Sequence, residues 1–309
     1  MPNVNGTLNG KLVAQKALEI LVRDLLPKSA VGTDLSDSRA KFGQPVLSRI
    51  VVPKDAQDFN ASTGYRGKNS TTLDVPVTID KHKFYPIEFG IEEVASTERD
   101  LVGEQAEAAA HGIANAFLKD LTALITVENF PTEVVSAVDS IDRKTMTKLA
   151  KALTGKKVPK AGRAALLDDD AFYKLLDDEV VVRSDANSGV RTLQTGELPP
   201  VSGITPYNLT GMVTAGQDAE NLLGAALNKS ALVLATRVPT DIAEIAAANG
   251  IPMNGRVSTI TEPKTGLSVA LIESADAVGG YVVSTLAIMY GVAIGNPDAL
   301  VRLVSASND

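Results

Sequence analysis

The chain has 309 residues, 44% hydrophobic and 22% charged, with a formal net charge of −7; these are the proportions of a folded chain long enough for two subdomains with cores of their own. The absence of cysteine excludes a disulfide framework, a thiolate metal site and a Cys nucleophile. The acidic balance, the absence of Trp and the low aromatic content argue against a broad nucleic-acid-binding surface, which needs basic charge and stacking rings.

Residues 10–26 place Val13, Ala17, Leu21 and Leu25 at helical spacing before Pro27, predicting a first helix. Residues 29–43 read as a polar linker. A two-stranded arm follows. It runs out through PVLSRIVVP (45–53), crosses a polar tip at 54–70, and returns through TTLDVPVTID and KHKFYPIEFG (71–90). Leu73, Val75, Val77 and Ile79 alternate with polar residues, the period-two pattern of a half-buried strand. The tip has no apolar run that could bury itself, so the arm is expected to project and meet another molecule. Residues 98–126 carry Val102, Ala106, Ala109, Ile113, Phe117, Leu121 and Leu124 at intervals of three and four, predicting one amphipathic rod of roughly 40 Å.

After a turn at 129–131, Asp139 or Ser140 is placed to cap a helix that runs through Thr154 and ends at Gly155. RAALLD (163–168) reads as a buried strand, and the following Asp run caps a short helix through Leu176. Gly, Pro, Asn and Ser crowd residues 184–216, predicting loops around short strands. Residues 231–250 give a strand and a helix, and VSTITEPKTGLSVALIES a hairpin turning at 263–266. Residues 277–297 are uncharged over a membrane-spanning length. Gly279, Gly280, Ser284, Thr285, Gly291 and Gly295 dilute them, and β-branched residues dominate, so they read as buried sheet with strands at 281–289 and 291–294. The N-terminus lacks a basic n-region, and Lys16, Glu19, Arg23 and Asp24 interrupt the apolar stretch behind it, unlike a signal peptide. No membrane partner is expected.

No catalytic residue, metal ligand or cofactor site emerges. Asp168, Asp169 and Asp170 cluster carboxylates as a hard cation would require, but no calcium-loop spacing follows, and helix capping accounts for them. His82 falls in a strand and His111 among alanines on the long helix, neither in a metal or nucleophile motif. GQDAENLLG (216–224) lacks the Gly-Lys-Ser/Thr element of a phosphate loop. A small hydrolase or metal enzyme therefore has no credible nucleophile, base or ligand set. Charge is segregated instead. Arg143, Lys144, Lys148, Lys151, Lys156, Lys157, Lys160 and Arg163 form a basic run, and 168–170 with 177–179 an acidic one. These read as solvated faces, as a nucleic-acid contact for the basic run, or as patches that meet between neighbouring subunits of a ring. The third reading singles out Lys148 and Lys151 against Asp169 and Asp177.

Taken together, these segments resemble the major capsid proteins of tailed bacteriophages, in the branch that assembles with a separate scaffolding protein. Residues 75–121 look like that family's strand, approach segment and spine helix, and residues 8–37 like its opening helix and loop. VPKAGRAALLDDDAFYKLL and GELPPVSGITPYNLTGM resemble axial-domain segments, and YVVSTLAIMYGVAIGNPDALVRLVS resembles the closing strand. Each motif alone is weak, but they occur in the family's order over nearly the whole chain. The resemblance implies an α+β, HK-ninety-seven-like fold: an N-terminal arm and helix at 1–44, an extended loop (E-loop) at 45–80, a peripheral (P) domain at 81–130 and 240–309 with the spine helix at 98–126, and an axial (A) domain at 131–239.

It further implies a coat protein assembling with itself in hexamers and pentamers into an icosahedral head. That head encloses double-stranded DNA without reading its sequence. Scaffolding and portal proteins, and a possible decoration protein, are the implied partners. Assembly in the bacterial host cytoplasm and residence in the virion are expected. The chain has no room for the further inserted domain some relatives carry, nor a long helical N-terminal extension, which points by analogy to a separate scaffold. Lys54, Tyr65, Arg66 and Lys68 at the arm's tip are expected to dock on a neighbour's spine helix. Either lysine could in principle form the lysine–asparagine crosslink of some relatives, although this branch does not crosslink. An encapsulin-type nanocompartment shell, of the same fold, is the alternative.

Overall fold

A computed structural model describes residues 10–20, 30–39, 42–51, 58–59, 61–62, 72–90, 101–178, 198–209, 221–239, 255–262, 266–276 and 279–305. The first helix, α1 (Gly10–Ile20), buries Val13, Ala14, Ala17 and Leu18; Leu21 and Leu25 lie outside the described residues. The long helix, α2 (Leu101–Thr122), has 22 residues, a rod of about 33 Å. Of the expected span 98–126, residues 98–100 also lie outside the description, and the helix stops at Thr122, four residues short of 126, where the chain enters a turn. Ala106, Ala109, Ala110, Ile113, Ala114, Phe117 and Leu121 form its buried stripe, while Glu104, Glu107, His111, Asn115 and Lys119 face out. The small alanines allow close approach. A Cβ added at Gly112 would stand 3.0 Å from the ring of Tyr85, so helix and sheet touch almost backbone to ring.

That ring belongs to β4 (Lys81–Gly90), part of a six-stranded sheet with β1 (Gly32–Arg39), β9 (Leu232–Val238), β10 (Arg256–Thr261), β11 (Ser268–Asp276) and β12 (Tyr281–Ile294). β12 is the hub. Met289 and Tyr290 pair with β4 and β9 at once, so those strands flank β12 on opposite sides. The predicted break at Tyr290 does not occur, and 281–294 form one 14-residue strand. Gly291 keeps it continuous by letting the backbone of Thr78 approach closely. The expected hairpin at 256–276 forms, with the Glu262 amide donating to Leu267 O at 2.8 Å.

The linker reading of residues 29–43 is corrected. Its middle is β1, pairing parallel with β9 from Gly32↔Val233 onward. TDLSDSR carries only Leu35 as an apolar residue, so no pattern signals a strand. It is held by backbone pairing and by buried Arg237, which donates to Asp34 O at 3.1 Å and to its carboxylate at 3.3 Å.

A second sheet runs in the order β5 (Glu133–Val135), β13 (Leu300–Val304), β8 (Leu222–Asn228), β6 (Arg163–Leu167) and β7 (Thr205–Asn208). Strands β6, β8 and β13 are buried at every position. Helices α3 (Arg143–Gly155) and α4 (Asp169–Leu176) pack on it through Met146, Leu149 and Leu153, and through Ala171, Phe172 and Leu175. Pairing does not follow chain order: the last strand, β13, lies between β5 and β8, and β9 joins the six-stranded sheet. One apolar cluster runs continuously from α1 and α2 through both sheets. Among the described residues no helix is long and apolar enough to cross a membrane.

Two capping expectations change. Residues 138–140 form a separate 3-10 turn, and α3 is capped by Asp142, whose carboxylate accepts from the Thr145 amide at 2.9 Å. Asp168 occupies the N-cap position of α4, but its side chain makes no capping hydrogen bond; Asp169 and Asp170 fill the first turn instead, next to the positive end of the helix dipole.

Candidate inter-subunit surfaces

The arm is the first candidate surface. Strands β2 (Pro45–Val51) and β3 (Thr72–Thr78) pair antiparallel from Pro45↔Thr78 to Val51↔Thr72. Their inner face carries Ile50, Val75 and Val77, which with Ile79 pack on Val233, Ala235 and Met289 of the six-stranded sheet. Leu73 lies on the same face opposite Ile50, yet it is 44% exposed. The arm therefore leaves its own body at the Ile50–Leu73 pair. The outer face carries Leu47 (68% exposed) opposite Pro76, and an exposed ion pair between Arg49 and Asp74 at 3.0 Å. Phe59, near the tip, is also exposed. Lys54, Tyr65, Arg66 and Lys68 lie outside the described residues.

The second candidate is the charge around α3. Lys148 and Lys151 are exposed on this helix, Asp169 is half-buried in the first turn of α4, and Asp177 is exposed at its C-terminal end. The structure brings none of these lysines to these acids: among the described residues, neither Lys148 nor Lys151 forms an ion pair within the subunit. Acids and bases are instead sorted along α3. Asp139, Asp142, Asp177 and Asp178 gather at its N-terminal end, where the Asp178 carboxylate accepts from the Arg143 amide at 2.9 Å. Lys151 and Lys160 border the cleft at the opposite end. This sorting complements the helix dipole.

Two members of the basic run are engaged within their own subunit, one buried and one at the surface. Arg163 is buried and donates to Pro159 O at 3.0 Å, Ala150 O at 3.1 Å, Thr154 Oγ1 at 3.0 Å and Val158 O at 2.6 Å. Burial pushes its guanidinium below the usual range. It supplies donors to the Val158 and Pro159 carbonyls of the loop that follows α3 and ties that loop to the helix at Ala150 and Thr154. Lys156 pairs with Asp298 at 2.8 Å, joining the end of α3 to the turn before β13. Sequence separations of 35 for Arg143–Asp178 and 142 for Lys156–Asp298 leave no local signal for either contact.

A third cluster went unmarked in the sequence. The Tyr290 hydroxyl on β12 donates to Asp120 Oδ2 of α2 at 2.6 Å, its ring meets Phe117 edge-on at 4.6 Å, and Lys81 approaches Asp120 at 3.7 Å. Burial first, then the hydrogen bond to Asp120 and the charges of Asp120 and Asp80, push this hydroxyl far above the ordinary tyrosine range. His82 on β4 and His111 on α2 are both exposed. Among the described residues no three potential metal-ligating side chains converge.

Neither a protein-family model nor a curated protein sequence matches the chain. Solved structures do. The capsid structure of the cyanophage P-SCSP1u matches with a TM-score of 0.54 at 15% identity, covering 90% of this chain and 87% of that one. The mature capsid of bacteriophage PhiM1 matches with a TM-score of 0.52 at 9% identity, covering 91% of this chain and 87% of that one. Two sheets on one continuous core, a long alanine-faced helix and a two-stranded arm thus compose the α+β, HK-ninety-seven-like fold of tailed-phage major capsid proteins.

Proposed function

We propose that this chain is the coat subunit of an icosahedral phage head, a structural protein whose work is assembly rather than catalysis. The observation that carries the reading is the extent of the fold match, which takes in 90% of this chain and 87% of a phage capsid chain. The arm supports it: a two-stranded element that quits its own body with Leu47, Leu73 and Phe59 exposed is suited to interlocking copies.

In this reading residues 1–44 are the N-terminal arm, 45–80 the E-loop, 81–130 and 240–309 the P-domain with α2 as its spine, and 131–239 the A-domain. The sheets interlock these segments, since β13 completes the A-domain sheet and β9 the P-domain sheet. Hexamers and pentamers of the chain close around double-stranded DNA without reading its sequence. A separate scaffolding protein guides closure in the host cytoplasm, a portal occupies one vertex, and a decoration protein can bind the finished virion. Lys54, Tyr65, Arg66 and Lys68 at the E-loop tip dock on a neighbour's spine helix. Heads that run as monomers on a denaturing gel would exclude a lysine–asparagine crosslink.

The test is particle mass by light scattering after expression with and without a candidate scaffold. Uniform particles far heavier than one chain that need the scaffold support the head. Uniform particles without scaffold that carry a cellular enzyme reassign the chain to a nanocompartment. Monomers or dimers under every condition overturn the shell.

A further inference from the structure

Helix α3 ends in two clefts of opposite charge. At its C-terminal end a cleft of about 570 Å³ is lined by Lys151, Lys160 and Arg163, with the hydroxyls of Thr147, Thr154 and Ser202. Arg163 is engaged internally, but Lys151 and Lys160 are exposed and, among the described residues, form no ion pair in their own subunit. Lys148, one turn before Lys151, extends the same charge along the helix. At the N-terminal end a cleft of about 400 Å³ is lined by Asp139, Asp142, Asp177 and Asp178, with Lys174 as the one cation among the described residues that line it. Arg143 and Lys144 sit in the adjoining helical turn without lining it. Asp142 and Asp178 are drawn to the helix start through the Thr145 and Arg143 amides, while Asp139 and Asp177 are exposed. Along α3 the rise from Asp142 in the acidic cleft to Lys151 in the basic one is about 14 Å, beyond a Debye length at physiological salt. One subunit cannot bring its own clefts together.

We infer that the basic cleft at the C-terminal end of α3 receives the acidic N-terminal end of α3, with the end of α4, from the next copy of this chain. The contact deepens the shell reading and rests on it. It is heterologous, one patch against a different patch, the type from which rings are built. A second copy is the favoured occupant because this chain itself carries the complementary charge at the far end of the same rigid helix. Lys151, Lys160, Asp139 and Asp177 form the contact and Lys148 its rim. Asp169, at the other end of α4 from Asp177, lies outside it. Such rim pairs fix register and steer encounter more than they add affinity, so the contact weakens as salt rises.

The test is charge reversal and charge exchange in the full chain, with the scaffold if assembly needs it. Lys151→Glu with Lys160→Glu, or Asp139→Lys with Asp177→Lys, should each lower shell yield at low salt by about tenfold or more, with circular dichroism showing an unchanged monomer. All four substitutions in one chain should restore most of the yield. Reversals on one side that assemble like the parent, or a four-fold variant that stays as defective as its components, overturn the contact and leave the shell standing. Normal assembly with loss of packaged nucleic acid would assign the basic cleft to nucleic acid and overturn this inference too. A parent chain that forms no particle overturns the shell and the contact together.

Discussion

Tyr290 shows how much of this fold hangs on single polar atoms in apolar surroundings. Its hydroxyl bonds the Asp120 carboxylate at 2.6 Å and ties β12 to α2, and burial followed by that acid raises its ionisation point. The sign follows from proton counting. Above about pH 10 the unfolded chain loses this proton while the folded chain keeps it, so stability is complete below that pH and falls above it, by up to about 1.4 kcal/mol per pH unit. Tyr290→Phe should remove that part of the alkaline loss and lower stability near neutral pH by about 1–2 kcal/mol. Urea unfolding at neutral and alkaline pH measures both, and an unchanged alkaline slope would place the effect elsewhere. Arg163 was legible as a charge but not as a buried one, because three of its four acceptors are backbone carbonyls that no composition rule reveals. Arg163→Met should lower stability by roughly 3 kcal/mol, leaving the Val158 and Pro159 carbonyls after α3 without this donor. A loss well under 1 kcal/mol would show that water replaces the guanidinium.

Elements were readable where pattern and packing agree. The alanine stripe of α2, the alternation in β3 and the short buried strand β6 each appear as expected, because side-chain periodicity and the buried face coincide. β1 was missed because its pairing with β9 is set some 200 residues away and needs almost no apolar side chain. The cap of α3 was misplaced by two to three residues, since Asp139, Ser140 and Asp142 are all competent caps and only the 3-10 turn decides among them. Asp142→Ala should lower stability by about 1 kcal/mol, measurable as a shift of the urea midpoint at constant slope. Asp139→Ala, which removes no cap of α3, should change it by less. At the arm, replacing residues 52–71 with a tight turn should leave the body folded, since Val75, Val77 and Ile79 still cover the sheet. Shell closure should be lost; closed shells from that variant would refute the interlocking role.

At the scale of the whole molecule, the order of opening helix, arm, long helix and later strand segments carried the resemblance, and the structure confirms the fold to which that order pointed. What sequence order could not supply is the interlocking of the sheets: β13 crosses back to sit between β5 and β8, and β9 joins β12. Both choices depend on long-range backbone pairing. The candidate surfaces were legible only as charge and exposure, because a contact between copies leaves no partner inside one chain. The central claim, that this chain builds a shell, is tested most directly by cryo-electron microscopy of particles purified from expressing cells. The account predicts closed icosahedral shells in which each arm lies across a neighbouring subunit and the five-stranded sheets ring the capsomer axes. Isolated subunits, or particles in which every arm folds back on its own body, would contradict it.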